Sequence, residues 1–411
     1  IISHRPTLKY HVKILDSPVV NAFAVPGGYI YFTRGILAQF NNEAELIGVL
    51  GHEMGHINAR HSVSQQSKQQ LGQLLLVGGM LISEKFASYA EAAMQGMQLL
   101  FLKFSRDDER EADQLGVTYT SKIGYDAHKM ADFFQVLEKM SLESSHAGVP
   151  TFLSTHPDPG DRYNSVKQQA QEWQDSLKLD SWKVNADNYL HMIDGIVYGE
   201  DPRQGFVETN TFYHPGMKFK FTIPDGWELE NQPMQVVMAP NDGKALMVFS
   251  MTTGNSFSEA IQSTLEGLDL KPEENKTMTV NGMPVNVTLS KQVIQDQNTG
   301  QQNTNMVLSF FIDYNKNYYV FHGLTSEADY ITYSPMFEKS MHTFSELTNP
   351  VILNKKPAKI LIKRVQSPGT LADAFKYYGI SPDRMEELAL LNNLSLTERV
   401  NTGKLIKVLG Q

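Results

Sequence analysis

Cysteine is absent from the 411 residues. Disulfides and thiolate ligands are therefore excluded, and any bound metal has to be held by His, Asp or Glu. An excess of positive charge is missing as well: 36 Lys and Arg stand against 45 Asp and Glu, a net charge of −9. Nucleic-acid binders normally leave a basic footprint, so no nucleic-acid partner is expected. Long hydrophobic runs are also lacking. The longest, "LGQLLLVGGMLI" over Leu71–Ile82, is about half the roughly 20 residues of a membrane-spanning helix. It reads as a buried helix, and no transmembrane segment is expected in this chain. No signal peptide is visible, but the chain opens on Ile1, so processing or truncation is compatible with that. Internal repeats are not apparent. What is present is ordinary for a folded protein, 41% hydrophobic and 20% charged residues, and the length exceeds one hydrophobic core, so two or three domains are expected.

The patterning divides the chain into residues 1–200, 205–348 and 355–411. The first part reads as mainly helical, introduced by a hairpin in which "VVNAFAV" and "YIYFT" flank Pro26-Gly27-Gly28. Asn42 is a helix N-cap with Glu45 three residues on, and the apolar period runs to about Ala59. Further helices are predicted over 65–83, 86–104, 106–122, 126–144 and 160–176. From about Gly205 alternating strands take over, with two helical stretches near 256–268 and 326–345, which predicts an antiparallel α+β domain. The last unit, a strand, two short helices and a closing strand, carries ten Lys/Arg against five Asp/Glu.

The chemistry lies in "GVLGHEMGHINARHS". On a helix His52 and His56 are one turn apart on one face, where both imidazoles can reach a single ion. His61 points elsewhere if the helix continues unbroken. Glu53, about 100° round from His52, is placed to take a proton from an activated water without being a ligand. Two neutral imidazoles suit zinc, which in catalytic sites takes three protein ligands and leaves a position open. A third ligand is offered by "FSRDDEREADQLG", a new helix with Ser105 as cap and Asp108 at the third position. Glu109 and Asp113 share a face there, Glu109 to complete the site and Asp113 to accept a hydrogen bond from a ligating imidazole. Asp107, Asp108 and Glu111 read as solvated. Gly48, Gly51 and Gly55 form a stripe on the His helix, at about 1 kcal/mol each relative to Ala. Close approach of the Glu109 helix would offset that cost.

These residues resemble a known family. "HEMGH", "EREAD" some fifty residues later, "NAFAVPGG" upstream and "STHPDPGDR" downstream are similar, in that order, to the gluzincin metallopeptidases of the HtpX, CAAX prenyl endopeptidase and BepA type. The likeness covers about residues 15–175. It implies a zincin-type fold with one Zn2+ per chain, His52, His56 and Glu109 as ligands, and Glu53 as general base. It implies that Asn21 and the strand near Tyr29 bind substrate backbone by strand addition. His156 matches the family's "HP" histidine and has two candidate roles: stabilising the oxyanion of the tetrahedral intermediate, or occupying the fourth zinc position and shutting the site. Arg162 is expected to anchor the same loop. The family usually has helical sequence before the "NAFA" strand, and this chain has almost none. The final unit is similar to a LysM module, a small βααβ fold that binds cell-wall glycans, on the cues Gly369-Thr370-Leu371, Leu391-Asn392 and Gly403-Lys404-Leu405. The expected architecture is thus multidomain: a mainly α zincin-type metallopeptidase domain, an antiparallel α+β middle domain and a LysM-like end. The implied function is zinc-dependent endopeptidase action on unfolded or misassembled proteins of a bacterial periplasm or cell envelope, with peptidoglycan as a second partner through the last unit. The alternatives are a latched, chaperone-like protein whose zinc is blocked by His156, and a cell-wall-binding protein whose zinc is structural.

Overall fold

A computed structural model describes residues 3–61, 104–143, 151–156, 161–295 and 302–410. The helices expected over 65–83 and 86–104, with the apolar run Leu71–Ile82, lie outside the described residues, as does Pro157. Among the described residues, no helix is long and apolar enough to cross a membrane.

The chain folds into two compact units. The first begins with β1 (His11–Leu15), β2 (Ala22–Val25) and β3 (Tyr29–Thr33). Gly27 and Gly28, at φ 98° and 93°, make the β2–β3 turn, a conformation that side chains with a Cβ disfavour. The strand order is β1-β3-β2, with β1 parallel to β3; β1 was not foreseen in the sequence. Helices α1 (Arg34–Gln39) and α2 (Glu43–Ala59) follow. The Asn42 side chain accepts from Glu45 N, and Glu45 reaches back to Asn41 N at 2.6 Å, one residue earlier than a capping box requires. Next come α3 (Arg106–Lys122), α4 (His128–Glu143), α5 (Thr151–Thr155), α6 (Arg162–Leu177) and α7 (Ala186–Ile193). A capping box of Ser105 and Asp108 opens α3.

The glycine stripe meets two helices. A Cβ on Gly55 would stand 2.9 Å from the Ala112 backbone, and one on Gly51 3.0 Å from Gly116 O, so α2 and α3 touch backbone to backbone. Gly48 instead faces Met130 of α4. The packing supplies the close approach that offsets the helix propensity lost at these positions.

The second unit, residues 202–356, is built from β4 (Phe206–Glu208), β5 (Thr211–His214), β6 (Phe219–Thr222), β7 (Trp227–Asn231), β8 (Gln235–Pro240), β9 (Ala245–Thr252), α8 (Phe257–Gly267), β10 (Lys271–Val280), β11 (Met283–Gln295), β12 (Gln302–Tyr314), β13 (Asn317–Ser326), α9 (Tyr330–Met341) and β14 (Ser345–Glu346). Seven strands pair antiparallel in the order β10-β11-β12-β13-β9-β8-β7, and β14-β6-β5-β4 form a smaller sheet. Alternation along β9 sends Met247 and Phe249 into a core with Phe219, Phe221 and Phe337, and Leu246 and Val248 into a second core with Leu265 of α8 and Leu268 at its C-cap.

Residues 357–410 belong to the first unit. They comprise β15 (Lys359–Arg364), β16 (Gly369–Thr370), α10 (Leu371–Tyr377), α11 (Pro382–Leu391), β17 (Arg399–Val400) and β18 (Leu405–Gly410), with β15 antiparallel to β18. The segment after α7 pairs with β15 through Ile360 N to Ile196 O at 2.9 Å and Gly195 N to Ile360 O at 2.7 Å. Leu405 enters the core that holds Ile30, Phe40 and Val49, and Ala38 of α1 packs with Ile360, Phe375 and Leu388.

Candidate metal centre

α2 carries His52, Glu53 and His56 into the interior, and all three are fully buried. α3 delivers Glu109 and Asp113 one turn apart, and the end of α5 delivers His156. One ligand atom from each of His52, His56, Glu109 and His156 lies within 4.8 Å of the others. His52 Nε2 is 3.0 Å from His56 Nε2 and 3.4 Å from Glu109 Oε2, while His56 Nε2 is 3.3 Å from Glu109 Oε1. His156 joins them through Nδ1, 3.2 Å from His52 Nε2 and 2.9 Å from Glu109 Oε1.

The donors fit a zinc ion. Burial holds the His52 imidazole well below its ordinary range and lowers His56 to about 3, so both rings are neutral, as ligation requires. His52 Nδ1 lies 2.9 Å from Asp113 Oδ1, which assigns its proton to Nδ1 and turns the Nε2 lone pair inward. With the ring protons on Nδ1, the two Nε2 lone pairs face each other at 3.0 Å beside a carboxylate, an arrangement a cation stabilises, and an N/N/O set without thiolate suits zinc. Burial raises Glu109, but the neighbouring His156 and Arg162 outweigh it and keep the carboxylate well below its usual range. His156 shows the converse: burial lowers it, and Glu109 and Glu53 raise it further than that.

Glu53 stands apart from the donors. Among the described residues neither of its oxygens has a hydrogen-bond partner, burial raises its carboxyl to about 7, and Oε1 is 3.7 Å from His156 Nε2, which likewise has no hydrogen bond among them. Arg162 binds Asp113 Oδ1 at 2.8 Å and Glu109 Oε2 at 3.2 Å, and its guanidinium lies 3.7 Å over the Phe134 ring. It therefore offsets the charge of both carboxylates, Glu109 in the donor cluster and Asp113 behind it. Rings complete the walls: Phe104 stacks on His56 at 3.9 Å and Phe152 on His156 at 4.4 Å.

The two residues expected to bind substrate backbone flank the β2–β3 hairpin, Asn21 just before β2 and Tyr29 at the start of β3. Tyr29 opens β3, the central strand, paired on one side by β1 and on the other by β2. Strand addition there is blocked, because both rows of backbone groups are already used; in the described sheet the edge strands are β1 and β2. Asn21 is fully buried just before β2, and its N–H and C=O are bonded to Thr33. A cleft of about 240 Å³ lies between the β2–β3 turn and the end of α2, lined by Arg5, Val25, Pro26, Gly27, His56, Ile57 and Arg60.

His61 was set aside on helical geometry, yet it is buried with Nδ1 3.0 Å from His56 Nδ1. The helix ends at Ala59 and Arg60 turns left-handed, φ 62° and ψ 30°, with its N–H on His56 O and Ile57 O. That turn brings His61 back. A left-handed C-cap is usually announced by Gly or Asn, and Arg60 gives no such signal. Glu111 is exposed, as expected, and its Oε2 lies 3.3 Å from His61 Nε2.

Comparison with known proteins agrees with this centre. Residues 2–170 match the sequence profile of peptidase family M48. The mitochondrial metalloendopeptidase OMA1 of Arabidopsis thaliana is 30% identical over 43% of this chain and 35% of its own length. The beta-barrel assembly-enhancing proteases of Yersinia pestis and Escherichia coli K12 are 29% and 26% identical, over 40% and 42% of this chain and 35% and 37% of theirs. This chain spans about a third of the length of these relatives. M48 peptidases are zinc-dependent, and the residues that match that family's profile, 2–170, include all four residues of the donor cluster.

Proposed function

We propose that the chain is a zinc metalloendopeptidase that cleaves unfolded or misassembled proteins of a bacterial cell envelope. The observation that carries this reading is Glu53, a buried carboxylate whose oxygens have no hydrogen bond among the described residues and which lies 3.7 Å from His156 of the donor cluster. A structural metal site has no use for such a group, whereas a hydrolytic one needs a base free to move a proton. His52, His56 and Glu109 would hold the ion. When bound, zinc polarises the scissile carbonyl and lowers the pKa of a water molecule to about 7. Glu53 takes the proton that the attacking water gives up and passes it to the departing amine nitrogen. Asp113 fixes the His52 ring through Nδ1, and Arg162 holds Asp113. Peptide reaches the centre along the cleft beside His56. The substrate class and the envelope location rest on the resemblance to beta-barrel assembly-enhancing proteases. Glycan binding by residues 357–410 rests on the LysM resemblance alone.

Glu53→Gln should abolish casein cleavage, by roughly 10²–10⁴-fold, while zinc stays bound at one ion per chain. Cleavage that survives would overturn the reading. For His156, Nδ1 among the donors favours a closed state in which it takes the fourth ligand position. His156→Ala then raises turnover. A fall in turnover would assign it the oxyanion role instead.

A further inference from the structure

We propose that His61 is a positioning residue for the metal centre: it accepts the Nδ1–H of His56 and directs its own Nε2–H at Glu111, leaving Nε2 of His56 as the atom that binds the ion. The inference rests on the zinc site proposed above and adds the residue that orients its second ligand.

Four observations carry it. His56 Nε2 faces His52 Nε2 and Glu109 at 3.0 and 3.3 Å, so Nε2 is the atom turned to the donor cluster. The opposite nitrogen, Nδ1, has His61 Nδ1 at 3.0 Å. A neutral imidazole carries one proton, and if Nε2 is to donate a lone pair that proton must sit on Nδ1. His61 Nδ1 is then the acceptor, and its own proton moves to Nε2. That atom has Glu111 Oε2 at 3.3 Å and Asp108 Oδ1 at 3.6 Å, an acceptor on the side where the chain of polarity needs one. The direction is therefore fixed along the whole row, from ligand to imidazole to carboxylate. The His56 ring is thus gripped at both nitrogens, Nε2 by the donor cluster and Nδ1 by His61, while Phe104 stacks on its flat face.

A ligating imidazole whose other N–H is engaged by an acceptor is more basic and is fixed in tautomer and orientation, and loss of such a partner typically costs about 10–100-fold in metal affinity. The simplest alternative is that His61 only fills space beside Phe104, whose ring centroid is 6.4 Å away. His61→Phe keeps the ring and removes the acceptor. His61→Gln restores an acceptor oxygen and a donor.

The test is zinc affinity of the full chain by competition with a chromogenic chelator, with folding followed by far-ultraviolet circular dichroism. The expected result is a dissociation constant raised about 10–100-fold in His61→Phe and largely rescued in His61→Gln. Binding by His61→Phe within twofold of the unmodified chain would overturn the proposal. Long-range 15N–1H spectra of the unmodified, zinc-loaded protein give an independent reading that needs no variant to fold. They should show His56 protonated at Nδ1 and His61 at Nε2, and a His61 proton on Nδ1 would overturn it equally. Failure of the unmodified chain to bind zinc would instead remove the zinc site itself, so the two failures are distinguishable.

Discussion

A buried imidazole couples proton uptake to folding. His322 in β13 is fully buried, with Ser309 Oγ 2.9 Å from its Nδ1, and burial lowers its pKa to about 3. The unfolded chain takes up this proton near pH 6.5, whereas the folded chain refuses it until about pH 3. The stability it supports is therefore complete above pH 6.5 and declines as pH falls towards 3, by up to about 1.4 kcal/mol per unit. His322→Gln removes the proton acceptor, so between pH 7 and 4.5 it should lose about 2 kcal/mol less stability than the unmodified chain. Urea unfolding at the two pH values measures this, and parallel losses would contradict it. Legibility at this scale depended on distance along the chain. His52, Glu53 and His56 sit within one turn, so their facing could be worked out from helix geometry alone, and Glu109 with Asp113 likewise. His61 could not be read, because its place depends on the left-handed backbone of Arg60.

The seam between α2 and α3 is where two elements become one site. Gly55 faces Ala112, Gly51 faces Gly116, and a Cβ on Gly116 would in turn stand 2.9 Å from His52 N. The neighbours on both sides are backbone atoms, which cannot rotate away. Gly55→Val should separate the helices, move Glu109 from the two histidines and destabilise the fold by about 1–3 kcal/mol. Thermal unfolding with and without zinc is the measurement: the zinc-induced rise in midpoint should shrink in the variant. An unchanged rise would show that the seam does not set the donor spacing. The bounds of α2 and α3 were readable because each begins at a side-chain cap, Asn42 and Ser105. β1 alternates polar and apolar residues over His11-Val12-Lys13-Ile14, yet Val12 and Ile14 are exposed, so its pattern does not point to a buried face.

At the scale of the whole molecule, the change from helical to strand patterning near residue 205 marks where the chain enters the second unit. It says nothing about what residues 357–410 pack against. That is decided by contacts such as Lys407, fully buried in β18, whose Nζ donates to Ala38 O at 2.8 Å, Gln39 O at 3.2 Å and Leu391 O at 3.0 Å. These carbonyls close α1 and α11, where a cation is favoured. Burial lowers Lys407 and raises Glu45. Lys407→Met strands the carbonyls and the buried Glu45 together, and should cost about 3 kcal/mol of stability in the first unit. Adding Glu45→Gln should return part of that loss. Denaturant midpoints of the single and double variants test it, and simple additivity would argue against coupling.

The discontinuity of the first unit also governs how it is made. A ribosome releases residues 202–356 before it reaches β15 and β18, so Leu405 and Lys407 join α1 and the Ile30–Phe40–Val49 core only after that intervening stretch has emerged. The first unit is thus finished late in translation, and a nascent chain still lacking β18 is short of part of the framework around its histidines.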